Sequence, residues 1–594
     1  MGPSIQGFPI FPNFLFKKAP VFPVNDQGLQ HVGCCPCCPG VESISGTIVD
    51  PVNRRIFPGT ISWSKGVIRR IERDSRPRAP GLIMPGFVDA HIHIESSLLP
   101  PPEFARLAVV HGTVATVSDP HEIANVLGVR GVDTMLAEAR RTPFKFRFGA
   151  PSCVPATDAE TAGASLGVGP VARLMARREI GYLAEVMNFP GVLRRDPGVM
   201  AKIAAAVRAG KPVDGHAPGL RGREAMAYAA AGISTDHECF TLAEARDKIR
   251  AGMMILIREG SAARNFDALA PLLRTDPGRC MLCCDDLHPD LLVLRHIDAH
   301  IRRGLASGAG RLDMLACASV NPVRHYRLDV GLLQPGDPAD FVVVDNWRNF
   351  RVRRTYIGGR LAAAGGRSLL PRLRSAPVNR FRALPRRAAD FAVPAGAGAL
   401  SVIVARDGQL VTGRARMRPL VSGGRAVADP SRDLLKIAVV NRYAPRAPVA
   451  LGFIRGFGLR EGALASSVAH DSHNIVAVGA SDAALAAAVN RVIARRGGLS
   501  VVGRGRSAVL PLPIAGLMAT GDGRAVARAY ARLDASAKAL GSRLSAPFMT
   551  LSFMALLVIP DLKLSDRGLF SGARWKFEPL FGSEGGARSP SALA

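Results

Sequence analysis

The sequence predicts an α/β protein: a (β/α)8 TIM-like barrel with a small composite β-sandwich domain and a C-terminal α+β domain. Three observations predict it. Between Pro85 and Pro322, eight short apolar runs alternate with helix-type patterns. β-Type runs lie on both sides of that stretch, and a Pro-, Arg- and Ala-rich linker then leads into a mixed β and helical remainder. The 594 residues give room for roughly three or four domains. With 48% hydrophobic and 21% charged residues, a core of normal size is expected and a largely disordered chain is excluded.

The eight strand-type runs are Gly86–His93, Thr113–Asp119, Phe144–Ala150, Tyr182–Met187, Pro212–His216, Ile233–His237, Met253–Ile257 and Cys280–Asp285. Helical patterns separate them. In Ala201–Gly210, Val199, Ile203 and Val207 recur at helical spacing; Asp196 can cap, Pro197 sits in the first turn and Gly210 can end the helix. Thr241 and Glu244 form a capping-box pattern before Leu242, Ala245 and Ile249. Ser45–Asp50 and Gly66–Ile71 before the barrel, and Asp340–Asp345 and Val352–Leu361 after it, read as strands of one domain made from both ends. Beyond the linker, Leu434–Val440 and Ile475–Val478 read as strands and Ser481–Arg496 as a helix. The expected division is an irregular extension over residues 1–42, a composite β domain from 43–84 and 335–375, the barrel over 85–334, an α+β domain over 396–581 and a frayed tail over 582–594.

The start of the chain lacks a secretory pattern, and the apolar stretch Ala546–Pro560 is too short to span a membrane, so a cytoplasmic protein is expected. Ten cysteines without a spaced framework read as reduced thiols. Four crowd into Cys34, Cys35, Cys37 and Cys38, half of a zinc pattern with no second half at suitable spacing. The net charge of +29 comes from 77 Lys and Arg against 48 Asp and Glu. Arg54, Arg69, Arg106, Arg140, Arg177, Arg302 and Arg353 are scattered without aromatic interleaving, as on solvated faces rather than a nucleic-acid surface.

The chemistry concentrates at the strand ends. The first run closes on His91-Ile92-His93, and alternation puts both imidazoles on one face. At the C-terminal end of a barrel strand that face is the mouth. Glu185, His216, His237 and Asp285 close four later runs. Six converging imidazole and carboxylate groups suit divalent transition metals and would be costly as core residues. The expected arrangement has two metals, one on His91, His93 and Asp285, the other on His216 and His237, with Glu185 bridging. Such a centre acidifies a water, and Asp285 is placed to accept its proton.

The run Pro85–Ser97 resembles the amidohydrolase superfamily and, more narrowly, its bacterial adenine deaminase family. The resemblance also rests on Ser118–Asn125, Ala184–Asn188, Gly215–Gly219, Thr235–Glu238, Val468–Asn474, Leu510–Met518 and Pro547–Phe553, and spans about residues 44 to 581. It implies hydrolysis of adenine to hypoxanthine and ammonia, in purine salvage, by a centre of two divalent ions, manganese or iron(II). Many relatives bridge their metals with a carbamylated lysine; Glu185 matches the glutamate variant. Two features depart from the pattern: the N-terminal extension, and Cys283-Cys284 where a threonine is expected before Asp285 and Asp286. Of those two acids, Asp285 is the expected ligand.

Glu185, His121 and Glu122 join Asp285 as candidates for proton transfer, and Glu95, Ser96 and Asp119 for contact with the purine. Holding an extra metal, or merely supporting His91 and His93, are the alternatives. His470, Asp471 and His473 are candidate substrate contacts only if the C-terminal domain covers the barrel mouth, as the resemblance implies. The partner set is adenine as substrate and a homodimer or larger homo-oligomer, with no nucleic acid and no membrane. The rivals are another cyclic amidine or amide hydrolase of the superfamily and a catalytically silent polyanion-binding relative.

Overall fold

The computed structural model describes residues 33–34, 40–74 and 81–582. The extension before residue 33, Cys35, Cys37 and Cys38 of the cysteine run, and the tail from residue 583 lie outside the described residues.

All eight barrel runs form strands, most of them shorter than their apolar stretches: β1 Phe87–Ile92, β2 Thr113–Ser118, β3 Lys145–Ala150, β4 Ile180–Val186, β5 Val213–Gly215, β6 Thr235–Asp236, β7 Met254–Arg258 and β8 Cys280–Cys283. β1 to β5 form one parallel sheet and β6 to β8 another. Hydrogen bonds join the two seams. Ser234 N–H donates to Val213 O at 2.9 Å, and Asp285 N–H donates to His91 O at 2.9 Å beside a parallel bridge between Ile92 and Asp285. The eight strands therefore follow one another in cyclic order, as a closed barrel requires. Ala90, Val117, Tyr182, Ala184, Leu256, Met281, Cys283 and Tyr326 form one buried cluster drawn from β1, β2, β4, β7, β8 and a later helix, and plug the interior beneath the mouth.

The local signals in the helices act as their chemistry dictates. Asp196 accepts the Val199 N–H at 2.9 Å and starts the helix Pro197–Arg208; Thr241 accepts the Glu244 N–H at 3.2 Å and starts Leu242–Arg250. Ala546–Pro560 opens with the buried helix Pro547–Phe553, and no described helix is long and apolar enough to cross a membrane.

The β-runs flanking the barrel join in one sheet of nine strands. Leu82–Pro85 pairs with Phe341–Val344 on one side and Glu42–Asp50 on the other. Trp63 packs its ring 5.8 Å from that of Tyr356, although three strands lie between theirs in the sheet order. In a flat sheet those strands would stand about 19 Å apart, so the single sheet curls over its own core rather than dividing into two layers. Val352–Leu361 is not one strand: Gly358 and Gly359, both at positive φ, turn the chain between Val352–Ile357 and Arg360–Ala364.

The linker has no helix or strand over residues 371–387, and Ser375 Oγ donates to Glu138 Oε2 at 2.6 Å on the way. The C-terminal part holds a second sheet of nine strands, among them Leu435–Val440 and Ile475–Gly479, with the helix Asp482–Ala494 packed on it. Six cysteines among the described residues are free thiols. Of the scattered arginines, Arg54, Arg106, Arg140, Arg177, Arg302 and Arg353 each pair with an acid. Arg69 donates to Ser64.

Candidate metal centre

The strand ends bring all six expected ligands into one buried cluster. The pairing of β1 with β2 shifts register between Asp89 and Ile92, and a similar shift occurs in β5 before Gly215; such irregularities re-aim side chains at a barrel rim. His91 and His93 converge there, with ring centroids 4.9 Å apart. Asp285 follows β8 in the left-handed region, at φ 56°, so the chain turns at once while its amide still bonds back to β1.

The donors fall into two groups. His93 Nε2 lies 3.1 Å and His91 Nε2 3.5 Å from Asp285 Oδ1. His216 Nδ1 and His237 Nε2 lie 2.7 and 3.2 Å from Glu185 Oε2. The other Glu185 oxygen, Oε1, faces the first group, 3.4 Å from His93 Nε2. A carboxylate with one oxygen toward each set of imidazoles is the geometry a bridging ligand needs.

The donor set fits divalent cations. His91–His93–Asp285, His91–Glu185–His237 and His216–His237–Glu238 each converge closely enough to hold an ion. Both ring nitrogens of His91, and Nε2 of His216, are buried without a hydrogen-bond partner, as ligand atoms awaiting a cation would be. His93 Nδ1 lies 3.2 Å from Asp119 O; donating there fixes the tautomer that presents Nε2 to the cluster.

Electrostatics reflect the crowding. Burial alone would raise Glu185, but His216, His237 and His93 reverse this and hold it well below the carboxylate range. Asp285 is held low against the same burial by Arg258, with His91 and His93 adding to it. Burial opposes the charged form of His237, yet Glu185 and Glu238 raise it to about 10.

A second tier surrounds the cluster. His121 Nδ1 lies 2.9 Å from Asp119 Oδ2 and 3.5 Å from Glu185 Oε1. His121 Nε2 faces Glu122 Oε1 at 3.6 Å and Asp471 Oδ1 at 3.8 Å. Glu122 is gripped from the C-terminal domain, by His470 Nδ1 on one oxygen and His473 Nε2 on the other. That domain therefore sits directly over the mouth. Ser96 Oγ donates to Asp286 Oδ1 at 2.5 Å, and the same oxygen lies 4.0 Å from His470 Nε2. Glu95 Oε1 accepts the Ile123 N–H at 3.1 Å, while its Oε2 and Asp471 Oδ2 are buried without partners. Burial, with Glu122 nearby, raises Glu95 to about 7.

Two residues in contact with the cluster were not among the expected ones. Arg258, the buried last residue of β7, bonds through Nη1 to both Asp285 Oδ2 and Glu238 Oε1, and through Nη2 to Glu238 Oε2 at 3.0 Å. Glu238 Oε1 in turn lies 3.4 Å from His237 Nε2. The signal in the sequence was a charged residue ending an apolar strand, the same signal that marked Glu185 on β4. The surface depressions lined by Arg178, Arg208 and Lys211 and by Lys145 and Arg147 share no residue with this cluster. The convergence of ligand chemistry, not surface shape, locates the site.

Comparison with known proteins agrees with this geometry. Residues 82–362 match the amidohydrolase family, and residues 409–576 match the adenine deaminase C-terminal domain. A protein of Salinibacter ruber named adenine deaminase is 56% identical, over 91% of this chain and 99% of its own length. Proteins of the same name from a Sulfurovum species and Methanosarcina acetivorans are 54% and 51% identical, over 89% and 91% of this chain and 98% and 99% of their own lengths.

Proposed function

Since this chain belongs to the adenine deaminase family, we propose that it hydrolyses adenine to hypoxanthine and ammonia at the mouth of the barrel. The observation that carries the reading is Glu185, whose two oxygens face two separate sets of imidazoles. His91, His93 and Asp285 would hold one divalent ion and His216 and His237 another, manganese or iron(II), with Glu185 spanning both. When bound, such ions acidify a water so that it can attack carbon near neutral pH.

The chain's own groups supply the rest. Asp285 Oδ1 points into the cluster, where it can take the proton of the attacking water, while Oδ2 is fixed by Arg258. The proton must then reach the exocyclic amine, which leaves as ammonia. His121 is oriented for that relay: Asp119 holds its Nδ1, and its Nε2 faces Glu122 and Asp471. His470 and His473 keep Glu122 in place and exclude water from above. Glu95 and Asp471, each with a buried unpartnered oxygen, are the groups most in need of a polar ligand such as the purine. In this division residues 85–334 carry the metals and 396–581 cover them.

We read the protein as cytoplasmic, in keeping with the free thiols among its described residues, five of the six buried; assembly into a homodimer or larger oligomer rests on the resemblance and is tested by light scattering. For the function, the protein is loaded with manganese, its metals are counted, and the ultraviolet change on adding adenine is followed. Conversion of adenine with about two metals per chain is expected. Fewer than one metal per chain would sink the dinuclear centre. Activity on adenosine or guanine but not adenine would sink the substrate.

A further inference from the structure

The loop between β3 and the helix Val168–Met175 is fastened to the C-terminal domain and linker along its length. Arg567 Nη1 donates to Asp158 O at 2.6 Å, Ser565 Oγ to Ala159 O at 2.9 Å, and Thr161 N–H to Asp566 Oδ1 at 2.9 Å. Asn474 Nδ2 donates to Thr161 O at 2.8 Å, and Arg380 Nη1 to Gly163 O. In the middle of this clamp sits Glu160, which none of these bonds uses. It is 3% exposed, and neither carboxyl oxygen makes a well-formed hydrogen bond within the chain, the Thr157 backbone and Ser472 being only loosely placed toward it. A side chain this deeply buried, in so firmly held a backbone, and with both polar atoms unmatched calls for a partner that arrives from outside the chain.

Its surroundings say what kind of partner. Burial raises Glu160 well above the carboxylate range, and Asp471 and Asp566 push the same way; the Thr157 backbone and Ser472 pull against them and are outweighed. That surrounding favours the uncharged acid, which offers an O–H donor and a C=O acceptor side by side. Asn474, on the segment that carries Asp471, holds the loop at Thr161 O, and Asp471 has Oδ1 3.8 Å from His121 Nε2 and Oδ2 unpartnered. Glu160 thus belongs to the loop held against the Asp471 side of the mouth. A purine whose C6 meets the cluster points its opposite edge away from it. In the free base that edge carries an acceptor, N3, beside a donor, N9–H, the complement of a carboxyl group.

We propose that Glu160 is a substrate-binding residue that reads the N3/N9–H edge of the free base through its carboxyl group, an inference that rests on the adenine deaminase reading above. Its O–H donates to N3 and its C=O accepts from N9–H. A sugar on N9 removes the donor and occupies the place of the carboxyl, so the contact selects the base over its nucleoside.

The test is a substitution crossed with a substrate change. Glu160→Leu in the full, metal-loaded chain is expected to raise KM for adenine about ten- to a hundredfold, the effect of leaving one buried donor–acceptor set unmade. Its kcat should stay within about threefold, as for binding lost equally from ground and transition states. Glu160→Gln keeps a donor beside an acceptor and should restore most of the loss. The thermal midpoint of Glu160→Leu should equal or exceed that of wild type, because an apolar group replaces an unmatched buried one. 3-Deazaadenine, which lacks the N3 acceptor, should lose much less affinity as an inhibitor on going to Glu160→Leu than adenine does. Unchanged KM, or equal losses for both compounds, overturns the proposal. A wild-type chain inert toward adenine would overturn the functional reading instead, and calorimetric binding of adenine to wild type and Glu160→Leu then decides this one.

Discussion

Replacing Arg258 with methionine removes a buried guanidinium that touches both halves of the metal centre. Its Nη1 bonds to Asp285 Oδ2 beside His91 and His93, and its two terminal nitrogens pair with Glu238 beside His216 and His237. Methionine fills much of the space but leaves two carboxylates buried at the mouth without their countercharge. Breaking a buried ion pair from one side costs about 3–5 kcal/mol, and the stability of the metal-free chain to urea should fall by that order. The effect on the centre is separate. Asp285 loses the bond that keeps Oδ1 toward the histidines, and removing such an outer contact lowers metal affinity or activity by about 10- to 100-fold. Competition with a chelator of known affinity measures the first, and kcat/KM for adenine the second. Arg258→Lys should recover only part of both, since an ammonium cannot reproduce the forked pairing with Glu238. If Arg258→Met binds metal within threefold of wild type and keeps full kcat, Arg258 is a structural ion pair and the reasoning is wrong.

Glu185→Gln should fall from two metals per chain to one or fewer and lose at least about a hundredfold in kcat, because one of two ligand oxygens becomes a donor amide; metal analysis of the dialysed protein checks it. Glu122→Gln should keep its metals yet lose about 10²- to 10⁴-fold in kcat, the usual scale for a lost proton-transfer group, as read by metal analysis and steady-state rates on one sample. Metal affinity should weaken as pH falls, since imidazole ligands bind only when deprotonated; chelator competition at two pH values reads the slope. Lys563 gives a pH effect away from the site. Burial lowers it from the ordinary 10.5 to about 7, and its ammonium is met by the Leu410 and Phe553 carbonyls at 2.7 and 2.9 Å. Between those values the unfolded chain holds a proton that the native chain does not, so stability rises with pH across the window, by on the order of 5 kcal/mol in full. Urea midpoints at pH 7 and 9 should separate less in Lys563→Met than in wild type, and equal separations would refute the assignment.

The barrel was legible because each of its strands is an apolar run bounded by turn residues and, for five of them, closed by an imidazole or carboxylate. Those are local signals, and the hydrogen bonds that join the strands follow the order of the chain. Strand limits were less legible. Gly358 and Gly359 reverse the chain inside what reads as one β run, and a curled sheet cannot be told from two layers by alternation alone. The site was legible where a ligand ends its own strand, and not where function depends on a partner distant in sequence. His470 meets Glu122 across 348 positions, and Arg258 meets Asp285 across 27. No spacing rule connects such residues. Glu160 was hidden for the same reason: its loop looks like any Thr-, Asp- and Gly-rich connection until the C-terminal domain is laid over it.

The distribution of charge, rather than its total, decides what the mouth can accept. The chain carries +29, which by itself suggests a polyanion as partner. Yet the named arginines are largely paired with acids of their own. The mouth is the reverse: Glu95, Asp119, Glu122, Glu185, Glu238, Asp285 and Asp471 are all buried there, with Arg258 among them. So much acid in a low-dielectric space is tolerable only if protons or cations compensate it. Divalent ions do so while leaving the imidazoles free to act as ligands. A phosphate-bearing substrate would bring more negative charge into the same volume and be repelled, whereas an uncharged heterocycle brings none and can match the unpartnered oxygens of Glu95 and Asp471. The acid excess therefore argues for metal ions plus a neutral base, and against a nucleotide or nucleic acid, on grounds independent of sequence similarity.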